Sequence, residues 1–213
     1  MSSAIVAWGA GGSRAMRVLW ALQELDLDYE HRPIGARTGE TQVDAYGRIN
    51  PKRKIPSLED GDLVLTESAA IARHLFRSYA SGRDVFVPTD AAETAREDEW
   101  CFWAMTELDA HSLYMIRRHK FLAHIYGEAP DAVTSAGTYC RKQLVAMAPR
   151  IAAADPYLFG ARIGVADILL GTCLDWAINY EVGIPDNCAP YLERLRARPA
   201  YRAATKANVL PKT

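Results

Sequence analysis

The sequence predicts two domains of different class, an α/β half with the order βαβ, a connection and ββα, followed by an all-helical half. Three observations lead there. The first eighty residues alternate short apolar runs with amphipathic ones, the rhythm of strands and helices taking turns. The segment IPSLEDGDLVL sets two apolar runs around an acidic, glycine-containing turn, which is a hairpin pattern. Beyond about residue 90, strand patterns almost vanish while apolar spacings of three and four persist.

Taken in order, Ala4 to Trp8 reads as a buried strand. From Ser13, the apolar positions Val18, Leu19, Leu22 and Leu25 form one helical stripe ending near Asp26. Leu27 to Ile34 reads as a second strand, and Gly35 to Lys54 as a polar, basic connection. Thr66 is expected to cap the helix that follows the hairpin, with Ile71, Ala72, Leu75 and Tyr79 on its apolar face. The expected boundaries are a first domain over 1–80, a linker over 81–90 marked by Ser81, Gly82, Pro88 and Asp90, and a helical domain over 91–213. Within the last, Glu93 to Arg118 carries Trp100, Trp103, Ala104, Leu108, His111 and Met115 at helical spacing. Asp131 to Ala154 carries Val133, Cys140, Leu144 and Ile151, with Pro149 bending or ending it. A third helix is predicted over Val165 to Tyr180, and two short ones after Pro190 and Pro199.

Composition narrows the functional classes. Lys plus Arg is 25 and Asp plus Glu is 26, so a net charge of −1 offers no field for a polyanion and nucleic acid is not an expected partner. No apolar run approaches the roughly 18 residues that cross a bilayer, and the first basic residue, Arg14, follows the apolar opening instead of preceding it, so no membrane span or secretory leader is expected. Cys101, Cys140, Cys173 and Cys188 lie far apart without a C-x-x-C pair, which spells neither a disulfide framework nor a zinc site. A cytoplasmic location and no metal are the expectations.

Three places could carry chemistry. GAGGSRAMR, between the first strand and helix, sets Ser13 and the first-turn N–H groups where an anion such as phosphate, carboxylate or thiolate could be held; Ser13 could equally be a plain helix cap. Ile55-Pro56 puts a proline where a strand begins, beside Arg48, Lys52, Arg53 and Lys54. A cis bond there would leave the Ile55 backbone open to an extended ligand. Glu67 and Ser68 open the last helix of the first half, either as capping residues or as a grip on an amino acid headgroup, Glu67 taking its ammonium group.

SRAMRVLWALQELDLDYE, INPKRKIPSLEDGDLVLTESAAIARHL and YLERLRARPAYRAA, in this order and spacing, resemble the cytosolic glutathione transferases over nearly the whole chain. The resemblance implies a thioredoxin-like N-terminal domain holding glutathione as co-substrate, an all-helical domain supplying the pocket for a small hydrophobic electrophile, a homodimer, and a role in detoxification. It makes Pro56 the cis-proline and Ile55 the residue whose backbone pairs with the cysteinyl unit. Glu67 and Ser68 would hold the γ-glutamyl end, and Lys54 would contact the tripeptide. Ser13 becomes the catalytic hydroxyl, since no tyrosine precedes Tyr29 and no cysteine precedes Cys101. Alignment on Arg17-Val18 sets the usual serine of the pattern at Gly12, one residue before Ser13. Asp167, at a capping-box position, is a folding residue. Arg14, Trp103, His111, Tyr114 and Arg118 are candidates for lining the electrophile pocket. A glutathione-dependent isomerase or dehalogenase, and a non-catalytic binding module of the same fold, are the alternatives.

Overall fold

The computed structural model describes residues 5–211, so Ala4, expected to open the first strand, lies outside the described residues. The chain forms two compact units. One comprises the described residues through Val87 together with those from Arg196 onward, and the other spans Pro88–Leu195.

The first unit is built on a four-stranded mixed sheet, ordered β2-β1-β3-β4. Strand β1 (Ile5–Trp8) leads through the glycine-rich turn into helix α1 (Ser13–Glu24), and β2 (Tyr29–Arg32) returns parallel to β1. A 3-10 turn (Glu40–Gln42) and a short helix α2 (Asp44–Ile49) occupy the stretch that reads in the sequence as a polar, basic connection. Strand β3 (Ser57–Asp60) runs antiparallel to β1, β4 (Leu63–Thr66) antiparallel to β3, and α3 (Ser68–Tyr79) follows. Ile5 and Ala7 are buried while Val6 and Trp8 are half-buried, as two-residue alternation requires. The Tyr46 ring lies 5.5 Å from that of Trp8, which puts α2 on the Trp8 face. α1 and α3 pack against each other and against the sheet. Trp20, Ala21, Leu22 and Leu25 are fully enclosed there, and each large apolar side chain contributes about 1.5–3 kcal/mol by leaving water.

Two local readings are corrected. Thr66 does not cap α3: it is the last residue of β4, and the cap position falls on Glu67 at φ 76°, without a side-chain capping bond. Likewise Ser13 is the first helical residue and Gly12 the cap, so the hydroxyl is not committed to capping. At Thr66 strand pairing carries the extended backbone one residue further than local propensity indicates, whereas α1 begins one residue earlier than the serine cap would place it.

The second unit contains α4 (Ala91–Trp103), α5 (Tyr114–Ile116), α6 (Ala123–Tyr126), α7 (Pro130–Ala152), α8 (Val165–Asn179) and all but the last two residues of α9 (Ala189–Ala197). The single helix expected over Glu93 to Arg118 is instead α4 running into wider π-helical turns over Ala104–Leu113 and Arg117–Phe121. Ser112 Oγ donates to the Glu107 carbonyl at 2.6 Å within that stretch. Pro149 sits in the last turn of α7, which ends three residues later. Helix α8 is apolar nearly all round and accordingly buried, packed against α4 and the π-helical turns. Asp167 is fully buried and accepts from the N–H of Gly164 at 2.8 Å, the N–H of Leu158 at 2.9 Å and the hydroxyl of Tyr191 at 2.7 Å. Burial first, and then that carboxylate, push the Tyr191 hydroxyl well above its ordinary range. The last helix, α10 (Pro199–Ala207), belongs to the first unit and packs on α1.

Candidate active site

Sheet register gathers the candidate residues. Trp8 pairs with Ser57 and Ser57 with Thr66, so the turn after β1, the approach to β3 and the exit from β4 all leave the sheet at one end. Residues 9–13, Ile55-Pro56 and Glu67-Ser68 are the segments that emerge there. Gly9, at φ 115°, lets them close up, since a Cβ on it would stand 2.7 Å from Ile55 Cβ.

Each segment is fixed by a different device. The turn after β1 hangs from β2 and the chain beyond it: Gly9 N–H donates to the Arg32 carbonyl at 2.9 Å and Ala10 N–H to the Ile34 carbonyl at 3.0 Å. At the helix start, Ser13 is half-buried and its hydroxyl has no hydrogen-bond partner among the described residues. The Lys54 carbonyl accepts from the Tyr46 hydroxyl at 2.7 Å and from Asn50 Nδ2 at 2.6 Å, and the same two side chains reach Ser57 Oγ at 2.9 and 3.3 Å. The Ile55-Pro56 bond is cis. Held on both sides, Ile55 keeps its N–H and C=O without a hydrogen-bond partner among the described residues, while the Lys54 side chain extends into solvent. Glu67 is exposed and ion-paired with Lys52. Ser68, by contrast, is buried, and its Oγ accepts from Arg17 Nη1 at 3.3 Å.

Sequence reasoning missed the supporting residues. Arg17 is fully buried yet reads as one polar position in an amphipathic helix. Tyr46 lies in a helix too short to show a period and Asn50 directly after it, although Asn50-Pro51 signals a turn. Asn208, whose Oδ1 accepts from Gly11 N–H at 3.0 Å, comes 195 residues after Ser13, with only its place after a helix to mark it.

The residues expected to line an electrophile pocket come from several elements. Arg14 is the second residue of α1, and Tyr114 is half-buried. Trp103 Nε1 donates to Gln143 Oε1 at 3.0 Å, and Arg118 lies over the Tyr126 ring at 4.5 Å. His111 borders a cavity of about 380 Å³ within the second unit, with Met115, Ala132, Ser135, Ala136 and Tyr139. Tyr139 donates to Glu107; that bond holds the Glu107 carboxyl below its usual range and pushes the Tyr139 hydroxyl up. No group of three or more His, Cys, Asp or Glu among the described residues could hold a metal ion, and no helix among them is long and apolar enough to cross a membrane.

Residues 3–77 match the family of the glutathione S-transferase N-terminal domain. The chain is 30% identical over 145 residues to glutathione S-transferase theta-1 of Bos taurus and 32% identical over 147 residues to that of Homo sapiens. These alignments cover 67% and 68% of this chain, and it spans 60% of the length of each relative. The fold superposes with a TM-score of 0.80 on the theta-class glutathione S-transferase of Xanthomonas axonopodis pv. citri, solved with glutathione bound, at 28% identity, covering 95% of this chain and 97% of that one. With its mixed sheet, its helical second unit and these relationships together, the chain belongs to the cytosolic glutathione S-transferase family.

Proposed function

We propose that this protein is a glutathione transferase that ionises the glutathione thiol for attack on small hydrophobic electrophiles. The observation that carries the reading is the register Trp8–Ser57–Thr66, which brings an uncommitted serine hydroxyl, an open peptide unit and an exposed carboxylate to one end of the sheet. The tripeptide offers the matching chemistry: a thiol, a central peptide and a γ-glutamyl ammonium group. The Ile55 N–H and C=O pair with the cysteinyl unit, Glu67 takes the ammonium group, and the cation of Lys54 takes a carboxylate. The glutathione bound to the Xanthomonas protein supports the same ligand here.

The Ser13 hydroxyl donates to the sulfur, and the N-terminus of α1 adds its positive end. Lowering a thiol pKa by about two units requires roughly 2.7 kcal/mol, within reach of a charge-assisted hydrogen bond and a helix dipole together. The released proton passes to solvent. The thiolate forms a bond to the electrophilic carbon, and the leaving group departs with its bonding pair.

The protein acts in the cytoplasm, in detoxification, as a homodimer. Support for the dimer comes from β4, an edge strand that exposes Leu63 and Val64. Support for a reducing compartment comes from four buried cysteines, none of them in a disulfide. The test is titration calorimetry of glutathione into the protein across pH in buffers of different ionisation heat. Saturable binding with proton release is expected. Absence of binding at millimolar glutathione overturns the reading, and binding without release leaves a carrier in place of an enzyme.

A further inference from the structure

We propose that Asn208 is a positioning residue for thiol activation, holding the glycine turn from which Ser13 and the start of α1 project; the proposal rests on the transferase reading above. Asn208 closes α10, its own N–H bonding the Ala204 carbonyl at 2.8 Å. Its side chain then turns onto the loop before α1. Oδ1 accepts from the N–H of Gly11 at 3.0 Å and of Gly12 at 3.4 Å, and Nδ2 donates to the Gly12 carbonyl at 3.3 Å. The Asn208 carbonyl accepts from Gly11 N–H as well, at 3.0 Å.

A carboxamide suits this task because it carries a donor and an acceptor in one plane, and so serves both polarities of the peptide units it faces. Aspartate supplies only acceptors. The need for such a clamp follows from the sequence of the turn itself. Gly11 and Gly12 have no side chains with which to anchor themselves, and glycine has the most conformational freedom to lose on ordering. Gly12 is also the α1 cap and contributes no side-chain capping bond. Its carbonyl accepts the first helical bond, from Met16 N–H at 2.9 Å, so the Asn208 amide and the first turn of α1 share one acceptor.

The chain beyond Asn208 completes the arrangement. A Cβ on Gly11, which sits at φ 76°, would stand 2.9 Å from Leu210 Cδ1, and one on Gly35 would stand 3.2 Å from the same atom. The turn is therefore held through hydrogen bonds by Asn208 and through contact by Leu210, both from a segment about two hundred residues away in the sequence. Hydroxyl and helix start act on a sulfur only at the right distance and angle. A loosened turn gives up part of the thiolate stabilisation while leaving the Ile55 and Glu67 contacts in place.

The test uses Asn208→Ala and the milder Asn208→Ser, which keeps a short donor and acceptor. The pKa of protein-bound glutathione is read from thiolate absorbance, alongside kcat/KM against pH with a simple aryl halide. The expected result is a rise of about one unit for Asn208→Ala and a smaller one for Asn208→Ser, with about ten-fold lower kcat/KM below the thiol pKa, the loss fading above it. Below the bound-thiol pKa, glutathione affinity changes little. An unchanged bound-thiol pKa in the variants, with only the melting temperature lowered, overturns the proposal; should Asn208→Ala not fold, Asn208→Ser decides. The wild-type titration comes first, and its failure to bind glutathione would be the failure of the transferase reading itself.

Discussion

Arg17 and Ser68 meet in the interior of the first unit: Arg17 Nη1 donates to Ser68 Oγ at 3.3 Å, with both residues almost completely buried. The bond ties the middle of α1 to the first residue of α3, and so links the helix that begins at Ser13 to the one that follows Glu67. Ser68→Ala leaves a buried guanidinium short of an acceptor and is expected to lower unfolding free energy by about 1–3 kcal/mol. Arg17→Ala, which also removes one of the largest enclosed side chains, should cost more, about 3–5 kcal/mol. Urea denaturation of both variants measures this; a Ser68→Ala protein as stable as the wild type would show the bond to be incidental.

Ser13→Ala separates catalysis from folding. Because Gly12 is the cap and the Ser13 hydroxyl makes no capping bond, stability should change by less than about 0.5 kcal/mol. Loss of a hydrogen bond to a charged sulfur, at about 1.5–3 kcal/mol, lowers kcat by roughly ten- to a hundred-fold. Steady-state kinetics and a thermal melt on one preparation decide it. A destabilised enzyme with unchanged kcat would reverse the assignment.

The ion pair between Lys52 and Glu67 is exposed, with side-chain accessibilities of 47% and 68%, and should contribute little to folding. It does occupy the carboxylate proposed to take the ammonium group of glutathione. Lys52→Met is therefore expected to bind glutathione a few-fold more tightly at low salt, and Glu67→Gln about ten-fold more weakly. Calorimetry of the two variants checks both signs. Weaker binding by Lys52→Met would mean that Lys52 contacts the ligand directly.

The Cys140 thiol, fully buried on α7, is pushed up to about 11, chiefly by burial. A folded-state pKa above the unfolded one gives stability that is fully present below about pH 9 and is lost as pH rises towards 11. Cys140→Ala should remove that part of the alkaline decline, so the stability difference from wild type narrows between about pH 9 and 11. Denaturant melts across that range test it, and parallel curves would count against it. Native protein should also react with a thiol reagent only as fast as it opens.

What the sequence shows of this fold depends on the range of the interaction responsible. The hairpin of β3 and β4 is legible because its turn is local, with Gly61 at φ 60° between the strands. α1 and α8 are legible because burial writes a periodic or continuous apolar pattern. α2 is not, being six residues long with Gly47 inside it. Nor are the π-helical turns of Ala104–Leu113, since widening a helix by a residue per turn has no propensity of its own. Ser13, Ile55 and Glu67 are identified as candidates through motifs. Their gathering at one end of the sheet, and the parts played by Arg17, Asn50 and Asn208, come from pairings between distant residues that no local pattern carries.

Helix α10 bears on how the molecule is made. Glu24, nearly enclosed on α1, accepts from Trp20 Nε1 at 2.7 Å and from both Arg198 Nε and Nη2 at 2.6 Å, and Tyr201 meets Trp20 edge-on at 5.0 Å. A nascent chain emerging from the ribosome thus carries a sheet and three helices with one flank of α1 bare until residues 198–208 appear. The second unit, continuous in sequence, can complete itself earlier. The first unit therefore matures after the second has been made, and a chain stalled or terminated before residue 198 presents Trp20 and Glu24 uncovered, a ready mark for chaperones and proteases.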